Sequence, residues 1–123
     1  MLVYEHLPAA LVRAVPELRV PFEQEKRWWG KEPPPPHVVF GNLLSPFLAA
    51  ELARGSRPEV LARLFAFVEE LAQHPDVRIR EVAQQSVLAD ICGERVGKLE
   101  KLIGIRSREL MEEYCSAYHQ HKE

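Results

Sequence analysis

"RPEVLARLFAFVEELAQHPDVRIREVAQQSVLADICGE", residues 57 to 94, decides the fold. Val60, Leu61, Leu64, Phe67, Val68 and Leu71 recur at steps of three and four, with Phe65 widening the stripe. That is the period of a helix burying one face. Ser56 and Glu59, framing Arg57 and Pro58, predict a capping box at its start. His74–Pro75 closes the run, and Asp76 reopens it as an N-cap. A second stripe follows: Ile79, Val82, Ala83, Val87 and Ile91, flanked by Val77, Leu88 and Cys92 and stopped at Gly93. Two helices and a tight turn leave no place here for strand alternation.

Working outward, Leu7, Leu11 and Val15 predict a helix over residues 7–15, with Pro8 in its first turn and Pro16 as its stop. Another is expected from about Asn42 to Arg54, carrying Leu43, Leu44, Phe47, Leu48 and Leu52. Pro46 would sit in its first turn, capped by Asn42 or Ser45, and Gly55 would end it. A short helix over Arg95–Ile103 and a last one opening near Ser107 follow. Leu110, Met111, Tyr114, Cys115 and Tyr118 make one face of the last helix. The tail, 119–123, is polar and expected to fray. HVVF (37–40) is the only strand-like piece and is too short alone. The expected fold is all-α: a single domain over 1–123, a compact bundle of five to six helices around a helical hairpin.

Residues 16–41 interrupt this order with a Pro/Trp-rich stretch, expected to be an irregular strap. EQEKRWW (23–29) has room for one helical turn, and Pro33 to Pro36 favour stiff polyproline II. Neighbouring side chains point different ways, so Trp28 and Trp29 should not be equally buried. One ring would pin the strap; the other would be a binding hot spot held by the prolines. The tetraproline also has the composition of a ligand for an aromatic-groove module.

The bulk properties narrow the function classes. The 123 residues are 46% hydrophobic and 28% charged, with a net charge of −2. A nucleic-acid binder would usually be basic, so nucleic acid is not an expected partner. No apolar run approaches the ~20 residues of a membrane span, and the N-terminus lacks the plan of a signal peptide. Cys92 and Cys115 lack the spacing of a disulfide scaffold and read as reduced thiols in a cytoplasmic protein.

Catalytic motifs are missing: no GxGxxG, P-loop, GxSxG, HExxH or CxxC appears. No catalytic residue and no cofactor is expected. Cys115 and His119, spaced i, i+4, would need Cys92 or His121 to hold zinc, and thiols in a core with solvated histidines are the plainer reading. If the two central helices pair antiparallel, Glu69 and Glu70 approach Asp90 and Glu94. With Glu51 these form a candidate acidic face, suited to steering a basic partner and fixing its register. Ordinary solvated charge is the competing reading.

Two resemblances rest on these segments. HPDVRIREVAQQSVLADICGE (74–94), with RPEVLARLFAFVEELAQ (57–73) as its partner, looks like one HEAT-type helical hairpin, although no period near 40 residues repeats. More broadly, "PEL", "HVVFGNLLSPFLAAEL", "LARLFAFVEELA" and "VRIREVAQQSVLADI", within residues 16–105, resemble a family of small bacterial helical proteins of uncharacterised function. Such proteins often appear as candidate immunity proteins of polymorphic toxin or contact-dependent inhibition systems. The double Trp and the tetraproline lie outside that pattern. The resemblance implies a non-catalytic protein that binds a cognate protein toxin, using Trp28, Trp29, Glu51, Glu69, Glu70, Asp90 and Glu94. A helical adaptor in a bacterial assembly is the alternative.

Overall fold

A computed structural model describes residues 2–53, 57–88 and 102–122, the side chains of 52 and 117–122 excepted. Among the described residues the chain is helical and contains no strand. α1 spans Leu7–Ala14, α2 Arg19–Trp29, α3 Pro36–Val39, α4 Ser45–Ala53, α5 Pro58–Ala72, α6 Val77–Ser86 and α7 Ile105–Lys122. The all-α bundle expected from the sequence is what forms.

α5 is the axis of the bundle. It buries Val60, Leu61, Leu64, Phe65, Phe67, Val68, Leu71 and Ala72, the expected stripe. α1, α6 and α7 all pack on it. Its cap residue is Arg57; Ser56 of the expected capping box, and Gly55, lie outside the described residues. α6 starts as its sequence predicts, with the Asp76 carboxylate accepting from the Arg78 N–H at 2.9 Å. The turn before it is tightly held. His74 Nδ1 accepts from the Asp76 N–H, His74 Nε2 donates to the Leu2 carbonyl, and Arg80 donates to the His74 and Pro75 carbonyls. The HPDVRIR motif is therefore a folding device. Hydrogen bonds then tie neighbours across the bundle: Ser45 Oγ to the Ser86 carbonyl, and Gln84 Nε2 to the Leu110 carbonyl.

α6 ends at Ser86, although Val87 and Leu88 stay buried. The rest of its expected length, with Ile91, Cys92 and most of the expected helix at 95–103, lies outside the described residues. α7 opens at Ile105, two residues before the expected start.

The stretch 16–41 is largely helical, not an irregular strap. Pro16–Leu18 is a 3-10 turn, pinned to α5 by the Glu17–Arg63 ion pair at 2.8 Å. α2 follows for 11 residues. Pro21 falls in its first turn, where a backbone N–H has no helical partner, so the proline costs the helix no hydrogen bond. Gly30, at φ 68°, ends α2 with its N–H on the Lys26 and Arg27 carbonyls. This left-handed turn is the reason a glycine stands there. The non-helical link shrinks to residues 30–35, a turn over 30–32 followed by Pro33–Pro35. The fourth proline, Pro36, begins α3, with Pro35 still extended at ψ 141°.

The helix expected from Asn42 begins at Pro36 instead. Phe40–Leu44 forms a π-turn, with the Ser45 N–H on the Phe40 carbonyl, and α4 continues from it. Pro46 explains the π-turn. Within a continuing α-helix its ring would collide with the Asn42 carbonyl, and it offers no N–H to that carbonyl. One wider turn just before it moves that carbonyl away.

Cys115 forms a disulfide, contrary to the reduced thiols expected. Cys92, the chain's other cysteine, lies outside the described residues. Thiol titration of the denatured chain should give no free thiol before reduction and two after it. One or two thiols before reduction would contradict the bond. Bonded sulfur also removes Cys115 from the zinc set considered above; the His119 and His121 side chains lie outside the described residues.

Candidate functional site

α2 contributes no buried residue, unlike the other long helices whose side chains are described. It stands on the bundle as a ridge with a cleft on each side. Its hundred-degree steps turn Phe22 and Lys26 toward one cleft, and Pro21, Glu25 and Trp28 toward the other.

The larger cleft is an open groove of about 670 Å³. Pro21, Gln24, Glu25, Trp28 and Trp29 form its α2 wall; Val38 of α3 and Asn42 and Leu43 of the π-turn form the opposite wall. The two indoles meet edge to face, with centroids 5.5 Å apart and planes at 73°. Trp28 is 79% exposed, the highest exposure of any described aromatic side chain, while Trp29 is half-buried. The unequal burial expected of adjacent residues is present, and Trp28 is the exposed one. Trp29 Nε1 donates to Glu25 Oε2 at 2.8 Å, and Asn42 Nδ2 donates to the same oxygen at 3.3 Å. Glu25 thus holds the Trp29 ring and ties α2 to the π-turn. Among the described residues lining the groove it is the only ionisable one. The groove thus offers aromatic surface beside one carboxylate and one amide, a combination suited to docking.

The cleft on the other side of α2 is smaller, about 350 Å³, between Pro8, Ala9, Phe22, Pro33 and Pro34. Its rim carries Lys26 and Lys31 against Glu5 and Glu32, so its charges compensate one another. The Lys26 ammonium already sits 5.4 Å from the centroid of the Phe22 ring. A third cluster joins Tyr4, His37 and Arg78 around a pocket of about 100 Å³. Arg78 lies 4.6 Å from the Tyr4 ring centroid and pairs with Asp76 and Glu5. Its guanidinium is committed within the fold, its pKa raised chiefly by the hydrogen bond to Asp76.

The acidic face does not assemble as expected. Glu51 is only 3% exposed. Its carboxylate accepts from Arg57 through the backbone N–H at 3.3 Å, through Nε at 3.2 Å and through Nη2. It joins α4 to the start of α5 and is not available to a partner. Glu69 caps α7: Oε1 accepts from the Ser107 N–H and Oγ, and Oε2 from the Arg106 N–H and Gln73 Nε2. Burial would raise its pKa, but these hydrogen bonds together hold it below the usual carboxylate value. Gly104 completes the cap, because a side chain there would run into the Glu69 carboxylate. Arg57 and Glu69 stand at opposite ends of α5, roughly 18 Å apart by helix rise, so Glu51 and Glu69 cannot share one patch. Of the expected set, Glu70 is exposed. Asp90 and Glu94 lie outside the described residues. What remains is Trp28 and Trp29, with Glu25, Asn42 and Leu43 beside them. Helical spacing of Glu25 and Trp29, i and i+4, is the signal that could have linked those two. The opposite wall has no local signal, because it depends on how α2 folds back on the π-turn.

These features define a small all-α domain with a tryptophan-lined surface groove. The chain belongs to a family described as a domain of unknown function, DUF7674, which matches residues 8–121. No curated protein and no solved structure matches the chain. No helix among the described residues is long and apolar enough to cross a membrane.

Proposed function

We propose that this is a non-catalytic protein-binding domain that docks a cognate protein, a toxin to be neutralised, in the groove beside Trp28. The observation that carries the reading is the placement of Trp28. A large indole stands 79% exposed on a helix that supplies no buried residue, at the lip of an open groove. Folding gains little from such a ring, whereas interfaces use tryptophan heavily as an anchor. Trp29, Glu25 and Asn42 hold the groove in shape before binding, which reduces the ordering cost of association. That the partner is a toxin follows from the resemblance to candidate immunity proteins. Neutralisation would then be occlusion, with a toxin surface covered by the bundle. The cytoplasm is the compartment this reading implies.

The test is co-expression with the polypeptide encoded beside this gene. The expected result is growth rescue and a one-to-one complex. Trp28→Ala should weaken the complex by about 30-fold or more, the scale of a hot spot. Melting of the free protein should shift by less than about 3 °C, since no core contact is lost. A variant that binds and protects like the parent chain would remove the groove from this role. Capture of several unrelated components of one machine through the same groove would make the protein an adaptor.

A further inference from the structure

The groove beside Trp28 carries charge as well as aromatic surface. Glu25 Oε2 accepts two neutral donors, an indole N–H and an amide N–H. Neither cancels its negative charge. Oε1 holds no hydrogen bond among the described residues, and no basic side chain among them lines the groove. Elsewhere the chain supplies cations for its own rings: Lys26 for Phe22 and Arg78 for Tyr4. Among the described residues no cation lies over Trp28, whose ring contact is the edge-to-face one with Trp29. An indole face has the strongest attraction for a cation of any side-chain ring.

We propose that the groove receives an arginine side chain of the docked partner, stacked on Trp28 with its guanidinium donating to Glu25 Oε1. A guanidinium fits both surfaces at once. It is planar enough to lie on an indole, weakly hydrated enough to leave water, and carries donors in the plane of the carboxylate. A lysine ammonium would satisfy the charge but not the stacking. This inference rests on the docking reading above and gives the partner a chemical character: its contact surface presents an arginine.

The test follows the indole N–H resonances of the two tryptophans in the intact chain. The probe is N-acetyl-arginine amide; its control is N-acetyl-citrulline amide, which has nearly the same plane and length without the charge. Arginine should shift both resonances saturably, and citrulline should bind at least about fivefold more weakly, the charge contribution expected of a cation over an indole. Glu25→Gln should weaken arginine binding severalfold, while its amide oxygen continues to accept from Trp29. Trp28→Ala should abolish the response of the remaining indole. Equal binding of citrulline, full arginine affinity in Glu25→Gln, or no saturable shift would each overturn the proposal. If that happens while Trp28→Ala still breaks the complex with the co-expressed polypeptide, docking stands and the arginine does not. If Trp28→Ala leaves that complex intact, the docking reading itself falls.

Discussion

Glu69→Ala should destabilise the domain by about 2–4 kcal/mol, the cost of losing a helix cap and leaving buried donors without acceptors. Its carboxylate accepts four hydrogen bonds: two from Ser107, one from the Arg106 N–H and one from Gln73. Ser107 is fully buried, so water does not easily replace the lost acceptor. Glu69→Gln should cost less, because one acceptor oxygen remains. Thermal melting reads both; a loss below about 1 kcal/mol for the alanine variant would mean that the cap contributes no more than an exposed one. Acid should act through the same group. Glu69 and Glu17 both have carboxyl pKa values lowered by folding. Groups of this kind bind protons more readily unfolded than folded, so their stabilisation is present above the ordinary carboxylate pKa. It is lost as pH falls through the lowered folded values. The parent chain should therefore lose melting temperature between neutral pH and pH ~3 more steeply than Glu69→Ala does.

Phe40→Ala should cost about 3–5 kcal/mol, the range for deleting a fully buried aromatic side chain. Phe40 has no exposed surface and stacks on Phe67 of α5, with centroids 6.3 Å apart and planes at 23°. It also begins the π-turn that carries Asn42 and Leu43 to the groove wall. On the docking reading proposed above, loss of Phe40 should therefore weaken partner docking as well as stability, whereas Phe40→Leu, filling most of the space, should be much milder. Urea unfolding with a double-mutant cycle against Phe67 would check it. Additive single costs would show that the stack adds nothing beyond burial.

The residues that made the fold legible are those whose partners are near in sequence. The α5 stripe from Val60 to Leu71 and the Asp76 cap follow from spacing alone. α2 was hidden because the prolines around it suggested an irregular strap, and Pro21 counts against a helix only outside the first turn. The π-turn could not be read locally, since it exists only because the helix starts at Pro36 and so has Pro46 inside it. Glu69 looked like surface charge because its partners lie 37 and 38 residues away. For Glu51 the reason differs: Arg57 lies only six residues on, but outside the i, i+3 and i+4 steps at which helical spacing pairs side chains. The unequal tryptophans were legible from adjacency; which of the two faces solvent was not, because that depends on where α2 rests.

That α2 has no fully buried residue, and rests on the core through Phe22, also bears on how the chain can diverge. Substitutions at its outward positions, such as Val20, Gln24, Arg27 and Trp28, leave the α5 core untouched. This helix face can therefore change while the bundle beneath stays constant. On the docking reading proposed above, exchanging the exposed residues of 19–29 while keeping Phe22 should change the partner and leave the bundle folded.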